Sequence, residues 1–325
     1  MPWNLFNGDG RQRAAERAWE AIPPPPPWRF AATRQAKFEI MPETVDAVNA
    51  ALHLRRPLLL TGLPGSGKST LVELIAAEFQ LGTVLRWHVT SKSTLGDALF
   101  QYDALGRLHA TQVEESLHRS GNPAAISRVD RFVTLGPLGT ALASPDRPRA
   151  VLIDEIDKSD FDLPGDLLNV LELGEFDIPP LVRDAREQET GPDQDDETTY
   201  RVRGADRQFY DVPGGVVRSE QFPVIVLTSN GERAFPPPFL RRCVRFEMPR
   251  PDVAMLTRIV TGYLGQIPAT EQETVKQFAR QLDSNQTLAI DQLLNLLYLV
   301  TGESAPGSAG RKKLEELILA ELNVR

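Results

Sequence analysis

The chain has 325 residues, 41% hydrophobic and 25% charged, with a formal charge of −8. Such proportions describe a soluble globular protein of two domains, or of one domain with an appendage. The acidity argues against a basic footprint for duplex nucleic acid, the single cysteine, Cys243, excludes an internal disulfide, and His and Cys are too scattered for a zinc site.

Residues 1–36 read as a Pro-rich arm. RQRAAERAWEAI has helical spacing, and the prolines from Pro23 before Trp28 favour a stiff polyproline II segment. The arm is expected to strap across the protein's own or a neighbour's surface, with Trp28 and Phe30 as anchors. MPWNLFNGDGRQR lacks the apolar core of a secretion signal, and no run of about 18 apolar residues is present to span a membrane. The cytoplasm is the expected compartment.

TVDAVNAALHL then has helical spacing, with Val45, Val48, Ala51 and Leu52 on one stripe. PLLL (Pro57–Leu60) reads as a short apolar strand, followed by a glycine-rich turn and the helix TLVELIAAEFQ, whose Leu71, Leu74, Ile75 and Phe79 should face inward. VLRWHVT (Val84–Thr90) is the next strand. Residues 91–146 are mixed, with helix expected around Glu114–His118. RAVLIDEID (Arg149–Asp157) holds a wholly apolar strand ending in acids, and LPGDLLNVLELG (Leu163–Gly174) a helix stopped by glycine. EFDIPPL and FYDVPGGVV read as the two strands of a hairpin, with Asp184–Tyr200 a mobile acidic loop between them. FPVIVLTSN (Phe222–Asn230) is another buried strand.

After Pro249 only helices are expected, at 252–264, 271–283, 287–301 and 311–323. The order implies an α/β domain at 37–248, a P-loop parallel sheet flanked by helices, carrying a small C-terminal α-helical lid domain at 249–325.

Three motifs carry chemistry. GLPGSGKST (Gly62–Thr70) fits G-x-x-x-x-G-K-[ST] between a strand and a helix, the context that gives the pattern meaning. Gly62, Gly65 and Gly67 let the backbone of Pro64, Ser66 and their neighbours wrap so that N–H groups converge on phosphates, and the helix beginning at Lys68, Ser69 and Thr70 adds its positive end. Lys68 would reach the β- and γ-phosphates and Ser69 would offer its hydroxyl to Mg²⁺. The alternative is a glycine-rich turn that fits the pattern by chance.

Asp154 ends a buried strand, where an open parallel sheet presents residues to ligand. It would hold Mg²⁺ through water, and Glu155 would polarise the attacking water as general base. Asp157 and Asp160 are the better candidates for capping the following helix. Asn230 ends a strand expected beside that of Asp154, and its amide could hold the γ-phosphate and the water together. By itself an asparagine there is an ordinary turn residue.

These pieces in this order resemble an AAA+ ATPase over residues 38–325. YDALGRL, GPLGTAL, IDEIDKSDFDLPGDLLNVLELGEFDIP and LTSNGERAFPPPFLRRC are similar together to segments of the MoxR-type ATPases. The resemblance implies ATP and Mg²⁺ as ligands, hydrolysis in a homo-oligomeric ring, expected to be a hexamer, and chaperone-like remodelling of a client beside a partner with a von Willebrand factor A domain. It implies that Arg241 or Arg242 completes a neighbour's site as an arginine finger, the other making an intrachain salt bridge. By position, Ile40 and Met41 could line the adenine pocket. The chain departs from the family pattern where SNQTLAIDQLLNLL offers no sensor 2 arginine. The stretch Thr90–Phe132 is expected on the ring's surface, engaging a client, with the Asp184–Tyr200 loop also on that surface.

A different class of protein, a switch that assembles on ATP and hydrolyses slowly, stays open. A GTPase is disfavoured by the lack of N-K-x-D, and a DNA-dependent machine by the acidity.

Overall fold

The computed structural model describes residues 20, 22–29, 40–119, 128–188, 198–284 and 288–302, with residues 310, 311, 313, 314 and 318. They fall into two compact units, one of 42–61 and 72–247, the other of the described parts of 1–41, 62–71 and 248–325.

In chain order the first unit begins with α1 (Pro42–Leu54) and β1 (Leu58–Thr61). α2 (Lys68–Glu78), whose residues up to Leu71 belong to the other unit, follows the glycine-rich turn and leads to β2 (Leu85–His88), α3 (Leu95–Leu99), β3 (Phe100–Tyr102) and α4 (Ala104–Arg119). Then come β4 (Val133–Leu135), α5 (Pro137–Leu142), β5 (Ala150–Asp154), α6 (Leu163–Leu173), β6 (Glu175–Asp177) and α7 (Pro179–Gln188). β7 (Thr199–Arg203), β8 (Phe209–Pro213), β9 (Val216–Arg218), β10 (Val224–Ser229), α8 (Pro237–Arg242) and β11 (Val244–Glu247) complete it.

The main sheet has the order β11-β1-β10-β5-β2 with every neighbouring pair parallel. Strands covered on both faces need continuous apolar sequence, and Ala150, Val151, Leu152 and Ile153 are all 0% exposed. Because the strands are parallel, β1, β10, β5 and β2 end on one edge. The register sets Leu60 beside Thr228, Leu227 beside Ile153 and Asp154 beside His88. One step beyond the Leu227–Ile153 pair, Thr228 and Asp154 are neighbours, and adjacent residues of a parallel row share a face.

The smaller sheets correct the expected pairing. FYDVPGGVV is two strands rather than one: its Val216 and Val217 pair antiparallel with Asp177 and Phe176 of EFDIPPL as expected, but its first half pairs elsewhere. β8 pairs antiparallel with β7, and β6 pairs with β9. Pro179 and Pro180 open α7 rather than extend a strand, since proline at a first helical turn lacks only an N–H that would have no helical partner. The acidic stretch runs at its end into β7, whose Tyr200 and Val202 are buried between exposed Thr199, Arg201 and Arg203, and Asp184–Gln188 is helical. The rest of that stretch lies outside the described residues. β3 and β4, unforeseen within 91–146, join β7 and β8 in a four-stranded sheet.

Two stripes also shift. In α1 the buried residues are Thr44 and Ala51, while Val45 is 44% exposed. In α2 Leu71, Val72, Ile75 and Ala76 are buried, whereas Phe79, just past the helix end, is 51% exposed. A side chain beyond the last helical residue no longer follows the 3.6-residue stripe.

The second unit holds α9 (Val253–Leu264), α10 (Ala269–Ser284) and α11 (Ile290–Thr301). Asp252 caps α9 by accepting from the Met255 N–H at 2.7 Å. Leu256, Val260, Phe278, Leu282, Leu293 and Leu297 form its core. Trp28 belongs to that core, 8% exposed, with edge-on contacts to Tyr263 and Tyr298 at centroid distances of 6.0 and 5.4 Å. The anchor expected of the arm is therefore real for Trp28, though the last two residues of the expected polyproline II segment, Pro27 and Trp28, lie in a 3₁₀ turn, Pro27–Arg29. Phe30, the helix expected near residues 11–22 and most of 311–323 lie outside the described residues.

Candidate active site

The turn after β1 is built for left-handed backbone. Gly62, Gly65 and Gly67 have φ of 142°, 77° and 88°, a region that side chains with a Cβ enter at a cost. At Gly65 a Cβ would also stand 3.3 Å from the Ile290 nitrogen. Lys68 is 8% exposed, and its ammonium donates to the carbonyls of Gly62 at 2.8 Å and Leu63 at 2.9 Å, drawn over the turn it follows. The Ser66 hydroxyl is buried without a hydrogen-bond partner, a cost unless a ligand supplies one. Pro64 sits in the turn, and Ser69 and Thr70 in the first turn of α2. A wrapped backbone, an orphaned hydroxyl and a helix start suit an anionic oxygen-rich group.

At the end of β5 the chain turns sharply. Glu155 adopts φ 60°, ψ 47°, a left-handed conformation rare for a residue with a side chain. Its N–H donates to Thr228 Oγ1 at 2.9 Å, and the same hydroxyl donates to Asp154 Oδ1 at 2.5 Å. The Glu155 carboxylate meets Lys158 Nζ at 2.7 Å and His88 Nε2 at 3.4 Å, both on Oε2. The hydrogen bond to Glu155, reinforced by the charges of Glu155, Glu232 and Asp157, holds Lys158 above the ordinary lysine range.

Asp157 has a different task from the capping expected of it. Its Oδ2 accepts from the N–H groups of Asn230 at 2.9 Å and Glu232 at 3.1 Å, tying the acidic turn to the turn after β10. No side-chain cap is made by Asp157 or Asp160 to the helix that follows; Asp160 accepts instead from the Phe161 N–H at 2.6 Å. β10 lies directly beside β5, so Asn230 and Asp154 follow or end adjacent strands, as expected. Among the described residues no group of three or more His, Cys, Asp or Glu converges to hold a metal.

α8 carries the paired arginines in its last turn. The guanidinium of Arg242 engages the carboxylate of Glu172 on α6 and the Pro238 carbonyl. Arg241 is exposed, and among the described residues its side chain has no partner. Cys243, next in sequence, is 7% exposed, and burial pushes its thiol up to about 12, as expected of a small buried hydrophobe. Ile40 is 39% exposed and Met41 half-buried, both just ahead of α1.

Sequence reasoning missed Thr228, Lys158 and His88. Lys158 stands three after Glu155 and its contact is local, but what Thr228 and His88 touch follows only from the pairing of distant strands. A separate cleft of about 1160 Å³ opens at the amino ends of β2 and β5, lined in part by Arg147, Arg149, Asp206 and Tyr210.

A parallel sheet with a glycine-rich turn opening a helix after one strand, and acids at the carboxyl end of the next strand but one, defines a P-loop nucleotide-binding protein. The model of the AAA domain (dynein-related subfamily) matches residues 57–243. That is more than half of the chain, and the chain belongs to this family of AAA+ ATPases. No curated protein matches in sequence.

Among solved structures, a mutant of Thermotoga maritima RuvB is similar at 16% identity over 84% of this chain and 67% of that one, with a TM-score of 0.43. NtrX from Brucella abortus in complex with ADP is similar at 13% identity over 83% and 54%, TM-score 0.44. Hsp104 with ATPγS and FITC casein is similar at 14% identity over 94% and 48%, TM-score 0.38. This chain thus spans about half to two thirds of the matched proteins.

Proposed function

We propose that the chain is a MoxR-type AAA+ ATPase that hydrolyses ATP in a homo-oligomeric ring, a hexamer, and uses the turnover to remodel or activate a client beside a partner with a von Willebrand factor A domain, in the cytoplasm. The observation that carries the reading is the shared sheet edge. The glycine-rich turn follows β1, Asn230 follows β10, and Asp154 ends β5, on three consecutive parallel strands.

In this reading the amides of Gly62–Ser69 and the Lys68 ammonium bind the triphosphate, with Ile40 and Met41 against the base. Glu155 takes a proton from the attacking water, and Asn230 orients that water. Ser69 and Asp154 offer the hard oxygen donors that suit Mg²⁺, which when bound would neutralise phosphate charge. A neighbour's arginine stabilises the transition state, and the four MoxR-like segments support the subtype.

Replacing Glu155 by Gln tests the reading. Turnover should fall to background while ATP binding persists and locks the ring in its assembled state. Unchanged turnover would remove Glu155 as the base.

One observation favours a second reading, an ATP-dependent assembly switch with slow hydrolysis. The Glu155 carboxylate is engaged by Lys158 and His88, a base restrained until something frees it. Slow wild-type turnover that stays slow with every candidate client, alongside ATP-dependent assembly, would favour the switch.

A further inference from the structure

Thr228 is 1% exposed, on the buried strand between β1 and β5. A hydroxyl there is costly unless its hydrogen bonds are made. It makes two, and chemistry fixes their direction. The Glu155 N–H can only donate, so Thr228 Oγ1 accepts at 2.9 Å, and the one hydroxyl proton goes to Asp154 Oδ1 at 2.5 Å. That bond uses one carboxylate oxygen of Asp154 and fixes the plane in which the other points. The accepted bond meanwhile satisfies the backbone N–H of Glu155 in its left-handed turn, a conformation that a residue with a side chain adopts only at a cost. Neighbouring Ser229 does something else, since its hydroxyl accepts from the Gly231 N–H at 3.0 Å.

We propose that Thr228 is a positioning residue of the ATPase site, setting with a single hydroxyl both the carboxylate of Asp154 toward its cation and the backbone that aims Glu155. The inference rests on the reading of Asp154 as cation-holding and Glu155 as base. It predicts coupled defects, in cation dependence and in turnover, from one buried atom that touches neither nucleotide nor water.

The test uses the full chain with Thr228→Val, which keeps the shape and removes the hydroxyl, Thr228→Ser, which keeps the hydroxyl, and Asp154→Asn. Circular dichroism and thermal melting establish folding. Fluorescent ADP binding is titrated with Mg²⁺ and again in EDTA, and steady-state turnover gives kcat and KM. Thr228→Val should weaken the Mg²⁺ dependence of binding and lower kcat by about 10- to 100-fold, as loss of a group that orients a metal ligand does. Its binding in EDTA should stay near wild type, and Thr228→Ser should restore both quantities.

Should Thr228→Val fold with unaltered Mg²⁺ dependence and kcat while Asp154→Asn loses the Mg²⁺ effect, the positioning role is wrong and the reading of Asp154 stands. Should Asp154→Asn leave the Mg²⁺ effect intact, that reading fails and the inference with it. If Thr228→Val does not fold, Thr228→Ser decides: wild-type behaviour assigns the role to the hydroxyl, and an equal loss in the folded serine variant assigns it to packing of the methyl group and overturns the proposal.

Discussion

Arg242 and Glu172 stand seventy residues apart in sequence and close as an ion pair between the last turns of α8 and α6, both oxygens of the carboxylate engaged by the guanidinium. Arg241, one residue earlier, is exposed and has no partner among the described residues. Two adjacent arginines thus divide into one paired within its own chain and one exposed without a partner among the described residues.

The division predicts unequal mutants. Arg241→Ala should lower ATP turnover by about a thousand-fold or more, the loss expected of an arginine finger, with ATP binding retained. Arg242→Ala should cost far less, since a partly exposed pair is worth about 0.2–1 kcal/mol. Mixing Arg241→Ala with Lys68→Ala protomers should restore part of the activity in mixed rings. Absence of recovery in rings shown to be mixed would count against a shared site.

Lys158 restrains Glu155 through the 2.7 Å contact. Lys158→Met should therefore raise turnover without a client, by at most about fivefold given the worth of an exposed pair. Because the pair holds Lys158 above its ordinary pKa, the tie is intact below the usual lysine range and is lost only as pH rises through the raised value. The wild-type rate should show no release of this restraint between about pH 6 and 9, below the ordinary lysine range.

Arg149, Asp206 and Tyr210 form a mostly buried triad, with Arg149 Nη1 donating to Asp206 at 2.7 Å and to the Tyr210 hydroxyl at 2.9 Å, and Tyr210 donating to Asp206 at 2.7 Å. Burial works to raise Asp206, but these bonds and the Gln208 amide outweigh it and hold the carboxyl below its usual value. Burial also pushes Tyr210 up to about 12. The depressed carboxyl contributes stability that is complete above the unfolded-state value and lost as pH falls through the folded-state value. Asp206→Ala should destabilise the fold near neutral pH by roughly 3–5 kcal/mol, the cost of leaving a buried charge unpaired. The difference from wild type should shrink in acid, as read by urea unfolding at several pH values.

Trp28→Ala should loosen the helical unit by roughly 3–5 kcal/mol, the usual cost of removing a large core side chain. Thermal melting checks this. A melting curve like wild type would show that the arm contributes nothing to that core.

What was legible in the sequence follows a simple division. The glycine-rich turn, the apolar strands and the Asp154–Glu155 pair could be read because each is encoded in a few consecutive residues whose backbone needs and periodicity are local. Val45 and Phe79 misled because a stripe read on an ideal helix ignores where the helix ends and what lies across from it. EFDIPPL and FYDVPGGVV hid their breaks into separate elements for a related reason. Pro179 and Pro180 suit a helix start as well as a strand end, and the acidic composition around β7 hid two buried residues.

By itself the sequence determined that a glycine-rich turn opens a helix, that acids close a buried strand, and that helices follow the α/β region. Only the tertiary structure decided that Thr228 bonds Asp154 and the amide of Glu155, that Asp157 holds the turn of Asn230, and that Arg242 rather than Arg241 is spoken for by Glu172. Each of these is a contact between residues roughly 70 positions apart. Such contacts follow from strand order and register, and no local pattern of residues encodes which strand will lie beside which.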